Sequence, residues 1–82
     1  MIQICYVYIK AEQKILSKVG DNIRKRRLEL KITQAQLAFE LSTDGRHIRR
    51  IENGEVNPSF LTLYRIAQVL EIDLTTLIKI KG

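Results

Sequence analysis

The sequence predicts an all-α fold of five helices, preceded by a short N-terminal extension over residues 1–16 that could be a β-strand. Three observations predict it. From Val19 onward, apolar residues recur at helical spacing. Residues that cap helices, Ser17, Thr33, Asp44, Ser59 and Asp73, stand at the head of each periodic stretch. The gaps between stretches are only a few residues long, so the helices must pack as one domain over residues 17–82.

Residues 1–9 are rich in β-branched and aromatic side chains, and no acidic residue occurs before Glu12. That composition reads as a strand, with Ile2, Ile4, Tyr6 and Tyr8 on one face and Cys5, Val7 and Ile9 on the other. A loose tail is the competing reading. Ser17 then caps a first helix in which Val19, Ile23, Arg27 and Leu30 share a face. Arg24, Lys25, Arg26 and Glu29 cover its other sides. Thr33 and Gln36 form a capping box for a second helix carrying Leu37, Ala38 and Leu41. Asp44 caps a third, buried through Ile48 and Ile51 and stopped at Asn53-Gly54. Ser59, after Pro58, caps a fourth with the stripe Leu63, Ile66, Ala67 and Leu70. Asp73 opens a short fifth, to about Ile78. The expected core is Val19, Ile23, Leu30, Leu37, Leu41, Ile48, Ile51, Leu63, Ile66 and Leu70.

Composition narrows the function. With 82 residues there is room for one domain, and one this small gains stability from a partner subunit. The net charge of +5 favours a polyanionic partner. Apolar runs are too short for a membrane span, and the N-terminus lacks a signal-peptide pattern. One cysteine, Cys5, and one histidine, His47, provide no disulfide and no metal cluster. No nucleophile has an evident base beside it, and no glycine-rich phosphate loop occurs, so neither an enzyme nor a cofactor is expected. A reducing cytoplasm fits this cysteine usage.

The second and third helices are joined by a three- to four-residue turn. In a helix-turn-helix of that spacing, the first helix crosses the phosphate backbone of DNA and the second enters the major groove. Arg46, His47, Arg49 and Arg50 lie away from Ile48 and Ile51. Arg46 and Arg50 are one turn apart on one face, and an arginine there can donate two hydrogen bonds to guanine O6 and N7. Arg24, Lys25 and Arg49 are candidate phosphate neutralisers. Arg27, on an apolar face, needs an anion. Glu52 is badly placed for the dipole at the end of its helix and needs a cation.

Residues 18–78 resemble the Cro and phage-repressor family of helix-turn-helix domains, also called the xenobiotic-response-element family. The stretches that carry the resemblance are Ile23–Arg27, Thr33-Gln34-Ala35-Gln36-Leu37-Ala38, Ile48-Arg49-Arg50-Ile51-Glu52-Asn53-Gly54 and Asn57-Pro58-Ser59. The resemblance implies a five-helix, lambda-repressor-like domain that binds double-stranded DNA. It implies that Gln34, beside Thr33, touches a phosphate and braces the third helix. Gly45, Arg46 and Arg50, with His47 between them, match positions that face base edges, and Asn53 matches a backbone-contacting position. Arg27 and Glu52 match an ion pair of some phage repressors. The chain departs from the family at Lys31, Ser42 and Glu71, where glycine is usual, and at Thr43, where a buried aliphatic residue is usual.

The expected function is a dimeric transcriptional repressor or autoregulator without a separate effector-binding domain. The alternative is an antitoxin that grips both operator DNA and a toxin protein; a pure protein-interaction module is opposed by the arginines of the third helix. Leu74, Leu77, Ile78 and Ile80 exceed what so short a last helix can bury. They are the expected dimer surface, with the N-terminal strand as a second contact.

Overall fold

The computed structural model describes the backbone of residues 2–80 and the side chains of residues 10–80. Its helices are α1 (Ile2–Glu29), α2 (Gln34–Glu40), α3 (Gly45–Glu52), α4 (Phe60–Val69) and α5 (Leu74–Leu77). There is no strand among the described residues, which corrects the expectation for the N-terminus. α1 runs unbroken through residues 2–16, across the anticipated boundary at Ser17. Three physical facts explain this. β-branched and aromatic residues lose only a few tenths of a kcal/mol each in a helix. No glycine or proline interrupts the chain before Gly20. A helix already held against a core elongates at one hydrogen bond per residue, without a new nucleation cost.

The core gathers Val19 and Ile23 of α1, Leu37 and Ala38 of α2, Ile48 and Ile51 of α3, Ile66, Ala67 and Leu70 around α4, and Leu77 of α5. Leu30, Leu41 and Leu63, expected inside, pack against it only partly buried. Leu77 is the reverse case. The sequence places it in the surplus expected for a partner, yet it is 0% exposed within its own protomer. A four-residue helix points one side inward, and Leu77 occupies that side.

Ser17 does not cap a helix; it lies inside α1 and faces α3. A Cβ at Gly54 would come within 2.9 Å of Ser17 Cα, and one at Gly20 within 2.3 Å of the Glu52 carbonyl oxygen. α1 therefore meets the C-terminal turn of α3 almost backbone to backbone, and only glycine fits at Gly20.

The other caps are as expected. Thr33 and Gln36 make the reciprocal capping box, Asp44 accepts from the His47 amide at 2.9 Å, and Ser59 accepts from the Thr62 amide at 3.1 Å. Asp73 stands at the head of α5 without a side-chain cap bond. At the opposite ends, α1 to α4 all close with one motif. The residue after the cap turns left-handed, and the next amide reaches back to the last turn: Ile32 to Arg27 O, Thr43 to Ala38 O, Glu55 to Arg50 O, Ile72 to Ala67 O. Only α3 uses glycine for this, Gly54 at φ 73°. Lys31, Ser42 and Glu71 hold φ of 58°, 56° and 58°.

A side chain in that region costs about 1–2 kcal/mol, part of which glycine gives back as freedom in the unfolded chain. Lys31→Gly, Ser42→Gly and Glu71→Gly are each expected to raise stability by about 0.5–1 kcal/mol. In a domain of this size each kcal/mol corresponds to roughly 4–8 °C in Tm. Thermal melts of the single and triple variants check this; a triple variant no more stable than the parent would show that these turns carry no strain.

Candidate nucleic-acid interface

α3 exposes one side and buries the other. Ile48 and Ile51 are 1% and 2% exposed, whereas Arg46, His47, Arg49 and Arg50 are all exposed. At 100° per residue, Arg46 and Arg50 stand opposite the two isoleucines, Arg49 and Asn53 flank them on one side and His47 on the other. Arg50 has one neighbour, Glu55, at 3.8 Å, in a pair exposed at both ends. Such a pair contributes at most about 1 kcal/mol and yields readily to a better acceptor. Arg46 and Arg49 have no side-chain partner among the described residues, so their donors face solvent.

Gly45 sits differently from the other predicted base-facing residues. A Cβ there would point at Ala35 of α2, 3.6 Å from its Cα, an ordinary contact. Gly45 therefore faces the neighbouring helix, and a Cβ there fits without moving α2.

Beneath this face lies a buried charge network centred on Glu52, itself 1% exposed. Arg27 donates from Nε to Glu52 Oε2 at 2.6 Å and from Nη2 to Oε1 at 3.1 Å. Its Nη1 donates to the Ile32 carbonyl at 2.8 Å, which ties the α1–α2 turn to the same pair. Gln34 Nε2 donates to Glu52 Oε1 at 3.1 Å. Arg24 Nε lies 3.6 Å from Oε1, and its Nη2 donates to Asn53 Oδ1 at 2.9 Å. Three helices thus converge on one carboxylate, which fixes how far α3 projects and at what angle. The cations also offset the poor position of a carboxylate at a helix C-terminus. Among the described residues no buried side-chain nitrogen or oxygen lacks a partner.

The predicted phosphate-contacting residues divide accordingly. Gln34 spends one amide proton on Glu52 and keeps the other at the start of α2. Thr33 uses its hydroxyl oxygen in the capping box and keeps only its O–H to donate. Arg24 and Asn53 are joined to each other, and Asn53 Nδ2 also reaches Glu55 at 3.3 Å. Lys25 is exposed on α1 and makes no contact with the Glu52 network. It lines a groove between α1 and α5 with Lys18, Asn22 and Lys79.

Sequence reasoning missed two clamps on α1. Arg26 Nε donates to the Leu70 carbonyl at 2.8 Å, and Asn22 Nδ2 to the Leu77 and Lys79 carbonyls at 2.8 and 3.0 Å. They satisfy the open carbonyl ends of α4 and α5, and no local pattern marks them. It also missed the outer stripe of α4, where Phe60, Leu61 and Tyr64 are 70%, 54% and 46% exposed. Their position off the Leu63–Ile66–Leu70 stripe could have revealed it. Of the expected dimer residues, Leu74 and Ile78 are half-buried and Ile80 is 47% exposed.

The arrangement defines a helix-turn-helix in which a buried carboxylate seats the arginine-bearing second helix. The chain belongs to the helix-turn-helix family of the Cro/C1 type: the family pattern matches residues 23–77. The ImmF control region 10 kDa protein of Bacillus phage phi105 is 37% identical over 60 residues, covering 73% of this chain and 67% of that protein. The restriction-modification controller protein C.AhdI from Aeromonas hydrophila has the same fold, with a TM-score of 0.72 and 29% identity. That match covers 76% of this chain and 90% of C.AhdI. The protein is a DNA-binding transcriptional regulator. No helix among the described residues is long and apolar enough to cross a membrane.

Proposed function

We propose that the protein is a homodimeric repressor or autoregulator that reads double-stranded DNA by placing α3 of each protomer in a major groove. The observation that carries this reading is the exposed pair Arg46 and Arg50, set opposite Ile48 and Ile51 and held by the Glu52 network. A two-fold pair of such helices falls about 34 Å apart, one turn of DNA. Both relatives are control proteins by name, which supports a regulatory role; neither name mentions a toxin, and the antitoxin alternative is not favoured. A DNA target and a single cysteine suit the cytoplasm.

Arg46 and Arg50 are the base readers in this account, with His47 at their flank. Gln34, Thr33 and Arg49 contact phosphates, with Arg24 and Asn53 close behind. The dimer surface uses Ile80 and Ile78 together with the outer stripe of α4.

Binding should weaken steeply with salt, because each neutralised phosphate contributes about −0.9 to the slope of log K against log salt. A dimer neutralising six to ten phosphates loses about 10³–10⁵ in affinity between 50 and 200 mM salt. Gln34→Ala should lower affinity for all sequences alike, since phosphates carry no sequence code. Fluorescence anisotropy across a salt series tests both; a slope near zero would refute the phosphate-tracking pose.

A further inference from the structure

α1 is much longer than the domain it serves. At 1.5 Å per residue its 28 residues span about 42 Å, and the molecule measures 43 × 24 × 20 Å. The helix leaves the core at Leu16: residues 10–15 are all exposed, and Ile15 is 41% exposed. The family pattern matches residues 23–77 and so does not include this arm.

The arm's sequence is unlike that of a solvated helix. Residues 1–9 contain no charged side chain, and Gln3 is the only polar residue among them. By helical register, the face that meets the core at Val19 and Ile23 continues through Leu16, Glu12, Ile9, Cys5 and Ile2. That is a heptad-like repeat with one polar position, Glu12. Left in water, a helix of this composition would expose a long apolar face.

We propose that the arms of two copies pair side by side and antiparallel, making α1 a dimerisation element in addition to the α4–α5 surface. This inference rests on the dimer reading above. Three observations select a second copy as the occupant. The body of each chain contributes a net charge of +5, whereas the first nine residues contribute no side-chain charge, so the arms are where two copies can meet with least repulsion. An isologous pair needs one self-complementary surface, and a repeated apolar face provides it. At the root of the arm, Ile15, Leu16 and Val19 line a groove of about 180 Å³ with Leu63, Ile78 and Ile80. The arm beyond Ile15 is about 20 Å long, so in an antiparallel pair the tip of one arm reaches the groove of the other. The groove also joins the arm to the C-terminal segment already assigned to the dimer surface, giving one continuous interface.

The test compares the full chain with Cys5→Glu/Ile9→Glu and with Leu61→Glu/Tyr64→Glu, by sedimentation equilibrium from micromolar to tens of micromolar. The arm variant should dimerise at least about tenfold more weakly than the parent, because carboxylates would enter an apolar seam. Its melting temperature, measured where the parent is monomeric, should be unchanged, since the arm lies outside the core. An arm variant that dimerises like the parent while Leu61→Glu/Tyr64→Glu becomes monomeric would overturn the arm pairing and leave the dimer intact. A monomeric parent would overturn both. A lowered melting temperature of the monomeric arm variant would show that the arm folds back on its own core, which also overturns the pairing.

Discussion

Replacing Glu52 with alanine is expected to cost about 3–5 kcal/mol, because it leaves Arg27 buried without its counter-ion. Arg27 is only 8% exposed and makes two of its three hydrogen bonds to that carboxylate. Gln34 loses its acceptor in the same step, and Arg24 loses an ionic partner. A domain of this size has about 5–15 kcal/mol of stability in all, so the variant should lose a large share of it and melt at least about 12 °C below the parent. Arg27→Met leaves the carboxylate with Arg24 and Gln34 and should cost somewhat less. The control is Lys25→Met, an exposed residue on the same helix. Arg26 does not serve, since its clamp on the Leu70 carbonyl makes its own contribution to stability. Urea denaturation of the three variants decides the matter. Equal midpoints for Arg27→Met and Lys25→Met would mean that the pair holds nothing together.

Much of this architecture was legible in the sequence because each short helix carries its own punctuation. The capping box at Thr33 and Gln36, the caps Asp44 and Ser59, and the stop at Asn53-Gly54 are local signals, and local signals survive into the structure. The left-handed turns at Lys31, Ser42 and Glu71 were legible in another way. The resemblance puts glycine there, and the backbone keeps the conformation although the residue has changed. The Arg27–Glu52 contact was readable because each charge was misplaced on its own helix.

The N-terminus is helical against its β-branched composition because that composition is a weak local preference. The packed part of α1 supplies a nucleus that overrides it. The burial of Leu77 is not legible in the sequence, because one turn of helix has too few residues for periodicity to tell its inner side from its outer. The clamps from Asn22 and Arg26 join residues more than 40 positions apart, and nothing short-range announces them. Gly20 shows the same limit: its reason is the Glu52 carbonyl on another helix.

Removing the arginines of α3 should have the second large effect. Arg46→Ala and Arg50→Ala are each expected to weaken binding to the best site by roughly 1–3 kcal/mol, and the double variant by about the sum if the two contact separate base pairs. Neither should alter folding, since both side chains are exposed and Arg50's pair with Glu55 is a surface one. The loss should be confined to the preferred site. Affinity for unrelated DNA falls only by the share of two positive charges, so the ratio of specific to non-specific binding collapses.

The most direct test of α3 as the reader is a base-substitution scan. A preferred site is selected from random DNA, and each of its positions is changed in turn. Binding of the parent, Arg46→Ala and Arg50→Ala is then measured to every changed site. Each arginine variant should become indifferent to one guanine position in each half-site, a position that costs the parent about 1–3 kcal/mol, while keeping the parent's preferences elsewhere. If both variants retain the parent's full pattern of discrimination, α3 does not read the DNA and the account fails.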